Sequence, residues 1–148
     1  MILDNIKVTG TVKIDIYDAA GALKDTREIK NLVVTVGKEY IASRMKDATA
    51  TAMTHMELGT GTAAAAVGDT TLQTVISGSR VTLTSTTVTA NAVAYVASFP
   101  AGTGTGAVTE AGVFNAASAG TMLCRTVFSV VNKGAADAMS ITWTITVS

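Results

Sequence analysis

The sequence predicts an all-β fold, an eight-stranded antiparallel β-sandwich that is jelly-roll-like and carries one short helix. Ala, Thr, Val and Gly dominate the composition, and proline occurs once, at Pro100. Thr and Val favour strands, and several stretches alternate apolar and polar residues with the period of half-buried strands. A chain of 148 residues is expected to form one domain, 1–148, with a short N-terminal arm at about residues 1–5.

The first half of the chain predicts a hairpin followed by a helix. Residues 6–17 alternate cleanly, and Gly10 on the apolar face indicates a bulge. After a turn, residues 23–34 form the second strand. The apolar spacing then becomes helical, which predicts a helix over residues 36–46 with Thr35 as its N-cap.

The middle of the chain predicts three strands and two long loops. The strands are residues 53–58, 80–90 and 92–99, with the turn between the last two at 89–92. Residues 59–72 and 100–106 are rich in Gly, Thr and Ala and are expected to be loops. Neither loop fits a phosphate site, because the first has no following Lys at the required spacing and the second has no following helix.

The last part of the chain predicts three consecutive antiparallel strands around which the fold is built. In the hairpin of residues 109–128, placing Phe114 opposite Thr121 puts Glu110 directly opposite Arg125, as a partly buried ion pair. The final strand, residues 139–147, alternates so that Trp143 faces the core. We therefore expect Trp143 to be a packed core residue rather than a ligand platform.

Composition and charge argue against several classes of function. The formal net charge is zero, so no basic stripe is expected for nucleic acid. No apolar stretch approaches the ~20 residues of a membrane span, and no signal peptide is seen, so we expect a soluble protein made in the cytoplasm. A neutral chain with a mean hydropathy of +0.40 is poorly protected against self-association, which predicts a homo-oligomer.

The candidate chemical groups are few. His55 and Cys124 are the single His and the single Cys, so the sequence predicts no disulfide and no metal site, although a Cys–His pair stays open. Cys124 is expected to be a small buried residue on a strand. The acidic residues show no calcium-loop spacing. We therefore predict no catalytic, cofactor-binding or metal-binding residues, and a protein that is not an enzyme.

Three stretches carry a resemblance to a known group of proteins. They are residues 31–42, residues 56–72 with the following Arg80, and the C-terminal set TEAGVFNA, TMLCRTVF, NKGAAD and ITWTI. Together they resemble small structural proteins of tailed bacteriophages, similar to capsid decoration (cement) proteins and to domains of fibre or tail-tip components. The resemblance covers about two thirds of the chain and implies a virion component without catalytic residues.

The resemblance leaves two roles open. A cement protein would form an oligomer, most simply a trimer, and bind the major capsid protein so that neighbouring capsid subunits are tied together. A tail fibre, tail-tip or baseplate component would touch the host. Receptor binding favours exposed aromatic residues, and the two long loops contain none, which favours the cement role.

Overall fold

The computed structural model describes residues 5–46 and 50–148, and within them the strands form a curled antiparallel sheet of nine strands. The elements are β1 (Val8–Tyr17), β2 (Leu23–Val33), α1 (Thr35–Lys46), β3 (His55–Gly59), β4 (Val81–Thr82), β5 (Ser85–Thr89), β6 (Ala92–Phe99), β7 (Gly106–Phe114), β8 (Met122–Lys133) and β9 (Ala138–Val147). The strand order is β4-β3-β7-β8-β2-β1-β9-β6-β5. The predicted all-β class with one short helix is confirmed.

Two halves of this sheet face each other and make the two layers. The β1 layer contains β1, β9, β6 and β5, and the β7 layer contains β7, β8, β3 and β4. Strand β2 belongs to both, because it pairs with β1 along most of its length and with β8 at Leu32 and Val33. Apolar side chains from both layers form one core, in which Trp143, Ile14, Phe99, Met56 and Leu123 are among the largest buried residues. The burial expected of Trp143 is confirmed.

The nine strands exceed the predicted eight because the strand expected at residues 80–90 is interrupted. Leu83 donates its backbone N–H to the Thr54 carbonyl, 2.8 Å away, beside the β7 layer. The next residue, Thr84, donates to the Val96 carbonyl of β6 at 2.7 Å. The chain therefore crosses from one layer to the other at this point, and β4 and β5 lie at opposite ends of the sheet order.

The bulge predicted at Gly10 is wrong. The register of β1 with β9 runs without a break through Gly10, and the pairing of β1 with β2 begins at Gly10 and is irregular only between Ile16 and Tyr17. Gly10 instead makes room for the side chain of Asn31, its partner on β2, since a Cβ atom at Gly10 would lie 1.6 Å from Asn31 Oδ1.

Helix α1 begins one residue earlier than predicted. Lys38 donates its N–H to the Val34 carbonyl at 3.0 Å, so Val34 and not Thr35 occupies the N-cap position. The helix packs closely on β8 at Gly37, where a Cβ atom would lie 2.0 Å from the Leu123 carbonyl oxygen. The predicted N-terminal arm falls mainly on Met1–Asp4, which lie outside the described residues.

Candidate interaction surface

The most distinctive feature of the β7 layer is a long loop that covers its outer face. We call residues 60–74 the Gly-Thr-Ala loop. Leu72 from this loop packs with Phe114, Met122 and Val34 in a small second core on the side of the layer away from the main core. Strands β7 and β8 are consequently buried on both faces for much of their length, which explains why their sequences lack a clear alternation.

A buried carboxylate holds both ends of the Gly-Thr-Ala loop. Glu110 on β7 is 0% exposed. Its Oε1 accepts hydrogen bonds from the backbone N–H groups of Gly61, at 3.0 Å, and Thr74, at 2.7 Å. Its Oε2 accepts the N–H of Gln73 at 3.0 Å. One side chain therefore binds both ends of the loop, next to the backbone hydrogen bond from the Thr60 N–H to the Thr74 carbonyl.

A buried guanidinium holds the middle of the same loop. Arg125 on β8 lies with its Nε 2.9 Å and its Nη2 2.8 Å from Glu110 Oε2. Its Nη1 donates to Asp69 Oδ2 at 2.8 Å, and its Nη2 donates to the Ala63 carbonyl at 3.0 Å. The predicted Glu110–Arg125 pair is confirmed, and it is fully rather than partly buried.

The register predicted for this pair is wrong by about two residues. Gly112 lies opposite Arg125, and Glu110 lies opposite Val127. The loop at the hairpin end is longer than expected, since Phe114 pairs with Met122 and an irregularity precedes it. A shift of two residues leaves both side chains on the same face, so the long arginine reaches the glutamate diagonally.

The Gly-Thr-Gly sequence at residues 59–61 is explained by the carboxylate. A Cβ atom would lie 2.4 Å from Glu110 Oε1 at Gly59 and 2.5 Å from it at Gly61. Both distances are too short for real atoms, so a side chain at either position would push the backbone away from Glu110. These glycines therefore serve the close approach of a loop to an internal anion, not the binding of a phosphate.

A second ion pair, which the sequence did not reveal, lies beside the first. Arg80 contacts both carboxylate oxygens of Glu57 at 2.9 and 3.0 Å, and its guanidinium carbon lies 3.8 Å above the centre of the Phe114 ring. The same guanidinium donates to the carbonyls of Ala116 and Ala119, in the loop between β7 and β8. A cleft of about 290 Å³ separates that loop from the Gly-Thr-Ala loop.

Another buried charge lies at the far end of β8. Lys133 is 1% exposed, and its Nζ donates to the carbonyls of Pro100, at 3.0 Å, and Asp137, at 2.6 Å. Burial lowers the pKa of Lys133, and the charge of Asp137 opposes that effect. The hydrogen bond from Lys24 lowers the pKa of Asp137, with help from the Gly134 N–H.

The two candidate chemical residues lie on opposite faces of the β7 layer. Cys124 shares a row with Val113 and Met56 in the main core, and burial raises the pKa of its thiol well above the usual value. His55 shares a row with Phe114, which faces the other way, and contacts the hydroxyl groups of Thr54 and Thr82. The Cys–His pair that the sequence left open is therefore excluded by position.

The outward surface of the Gly-Thr-Ala loop is uncharged. Asp69 is the one charged residue of the loop, and its carboxylate is bound by Arg125 and by the Ala66 N–H. Thr62, Ala63, Ala64 and Val67 are exposed. Small side chains lose little rotamer freedom when another surface covers them. An ordered loop of this kind can be buried against another protein at low entropic cost.

In the described residues, no three His, Cys, Asp or Glu side chains form a group that could hold a metal ion, and no helix is long and apolar enough to cross a membrane. Comparison of the chain with protein-family models, with curated proteins and with solved structures gives no match.

Proposed function

We propose that this chain is a non-catalytic structural protein of a tailed-bacteriophage virion. In this proposal it is a capsid decoration, or cement, protein that stabilises the head shell by bridging capsid subunits. It is made in the host cytoplasm and incorporated into the virion. The basis for a phage protein is the sequence resemblance given above, and the structure adds a surface suited to such a role.

The observation that carries the proposal is the construction of the Gly-Thr-Ala loop. Glu110, Arg125 and Asp69 form hydrogen bonds and ion pairs beneath the loop, and these contacts hold it in place. The side chains on the outer surface of the loop are small and uncharged. A cement protein needs such a surface, because it must lie flat against other subunits without desolvating charges. We propose the major capsid protein as the partner of this surface, and a homo-oligomer, expected to be a trimer, as the binding unit.

The position of the aromatic residues favours the head over the tail. None of the three Phe, three Tyr and one Trp is exposed, and all seven lie within the part of the chain that the structure describes. Receptor-binding surfaces use exposed aromatic residues as anchors. A role as a tail fibre, tail-tip or baseplate component is the alternative, and the experiment below separates the two.

The test is co-sedimentation of the purified protein with purified heads that lack it and, separately, with purified tails. We expect saturable binding to heads and none to tails. A variant with Ala64→Glu and Val67→Glu should bind heads at least tenfold more weakly, because it places charges on the loop surface without touching the Glu110 contacts.

The control is Thr11→Glu, which places a charge of the same sign on an exposed position of β1, away from the loop. It should bind heads like the unchanged protein. Binding to tails alone would establish the alternative, and binding to neither particle would overturn the proposal.

A further inference from the structure

Among the residues that the structure describes, strand β5 forms a free edge of the sheet without the usual protection. It lies at the end of the sheet and all five of its residues, Ser85–Thr89, are exposed. Proteins normally protect such edges with charged residues, proline or a bulge. Strand β5 contains no charge and no proline, and its register with β6 is continuous. The edge is thus open to another strand.

The turn between β5 and β6 determines which backbone N–H and C=O groups of β5 bond to β6 and which point to the free edge. Ala90 and Asn91 make a two-residue connection, so Thr89 and Ala92 close the hairpin by exchanging hydrogen bonds. Because the pattern alternates, Ser85 and Thr87 also bond to β6. The N–H and C=O groups of Thr86 and Val88 then point away from β6, towards the free edge.

Apolar side chains are exposed at the same end of the β1 layer. Val88 is 70% exposed, although it lies in one row with Val93 and the buried Ile145 on the side of the sheet that faces the core. Val147 is 40% exposed beside Val8, and Ile6, two residues further out, is 77% exposed. We call Ile6, Val88 and Val147 the overhang. They lie on the core-facing side of the β1 layer, at an end that the β7 layer does not cover.

We propose that β5 pairs with β5 of a second copy of this chain, antiparallel about a two-fold axis at Thr87. In this register the outward-pointing groups of Thr86 bond to those of Val88 of the partner subunit, and Val88 bonds to Thr86 of the partner subunit. Thr87 faces its own counterpart in a non-hydrogen-bonded pair, where side chains are closest. The two β1 layers become one sheet, and the two overhangs extend along the same face.

The chemistry of the edge selects a second copy as the occupant. The chain carries no charged residue from Val81 to Thr109, so a charged partner strand would find nothing to pair with, whereas two identical edges meet without burying a charge. Pairs of Thr with Thr and of Thr with Val suit neighbouring strands. Head-to-tail pairing with the other end of the sheet is disfavoured, because β4 offers two residues, Val81 and Thr82.

This inference does not depend on the proposed function. A two-fold contact cannot by itself build a trimer, so the expected trimer would use other surfaces, and β5 would join two trimers. In either case the contact doubles the size of the assembly. Its disruption should therefore halve the mass.

The first test is Thr87→Lys, measured by sedimentation equilibrium and native mass spectrometry. Two lysines would face each other at the two-fold axis and repel. We expect the mass to halve, from dimer to monomer or from hexamer to trimer, with the dissociation constant raised at least tenfold. Thr11→Lys, a change of the same charge at an exposed position of β1, should leave the mass unchanged.

The second test combines two variants with opposite charges at position 87 to restore the contact. Thr87→Asp should also halve the mass, and an equimolar mixture of the Lys and Asp variants should recover the full assembly with one chain of each kind at every two-fold contact. Recovery requires both variants to be folded and fixes the register at Thr87. An unchanged mass in Thr87→Lys, a failure of the mixture to recover, or a monomeric unchanged protein at millimolar concentration would each overturn the inference.

Discussion

The Gly-Thr-Ala loop and strand β5 have similar compositions and are held in opposite ways. Both are rich in Thr and small residues. The loop has little regular structure, yet Glu110 and Arg125 bind five of its residues. Four are bound through their backbone and one through its side chain: Gly61, Ala63, Gln73 and Thr74, and Asp69. Strand β5 has regular structure, but all its side chains are exposed, and it is held in place by its backbone hydrogen bonds to β6.

Order in this protein therefore does not follow from local sequence. The loop is ordered because a buried anion and a buried cation lie beneath it, and each forms hydrogen bonds both with the loop and with the other. Strand β5 has high β-propensity, but burial contributes little to its stability because its side chains are exposed. The free energy that orders the loop comes from the β7 layer, so the loop should be sensitive to changes there and β5 should not.

The largest effect is expected from Glu110→Leu. It would leave the charge of Arg125 buried with less compensation and would remove the acceptor of three backbone N–H groups. We expect the free energy of unfolding to fall by roughly 3–5 kcal/mol in urea denaturation. Glu28→Leu, at an exposed position of β2, should stay within about 0.5 kcal/mol of the unchanged protein.

The double variant Glu110→Leu with Arg125→Met sharpens this prediction. It removes both charges, but the N–H groups of Gly61, Gln73 and Thr74 still lack their acceptor, at a cost of about 1–3 kcal/mol for each one that stays buried. We therefore expect a partial recovery of stability in a double-mutant cycle. Strict additivity of the two single changes would contradict the pairing.

An intermediate effect is expected from Gly61→Ala. The added methyl group would meet Glu110 Oε1 and the side chain of Gln73, each about 2.5 Å away. We expect a loss of about 1–3 kcal/mol, as for an overfilled core. The matched control is Gly68→Ala in the same loop, where no atom of the neighbouring described residues lies within 4 Å of the added Cβ. Equal melting temperatures for the two variants would show that the loop does not depend on its contact with Glu110.

The smallest effect is expected in the turn that leads out of β5. Ala90 has a φ of 51°, a left-handed conformation that a side chain disfavours. Ala90→Gly should relieve this strain and stabilise the protein by about 0.5–1 kcal/mol, after the entropy of the added glycine is subtracted. Ala92→Gly, within β6, should destabilise it by a similar amount. A thermal melt of both variants decides the point, and a loss of stability in Ala90→Gly would contradict it.

The sequence predicted best those elements that have one face in the core and one in solvent. Strand β9 alternates for this reason, and Trp143 could be placed in the core from its pattern alone. The Glu110–Arg125 pair could be found because these two charges stand alone in apolar runs of neighbouring strands. The register was missed because the irregularity before Phe114 leaves no mark in the composition.

Other parts of the site depend on contacts that are distant in sequence. Asp69 reaches Arg125 across 56 positions, and Arg80 reaches Glu57 across 23. Neither pair lies in a local pattern such as a hairpin or a helical turn. The Gly-Thr-Ala loop also covers the outer face of β7, so apolar and polar residues do not alternate along this strand. Without that alternation the sequence does not show which side of the strand faces the core. The contact of Asp69 with Arg125 and the Arg80–Glu57 pair therefore required the structure.

The backbone of Thr35, the first residue of α1, is joined to the Gly-Thr-Ala loop. The Thr35 N–H donates to the Val67 carbonyl at 2.7 Å, so one of the free donors at the start of the helix is satisfied by the exposed part of the Gly-Thr-Ala loop. When the loop lifts, this amide loses its acceptor and can exchange its proton with water. The exchange rate at Thr35 thus reports the opening of the loop from a position outside it, and slower exchange would register a partner that clamps the loop shut.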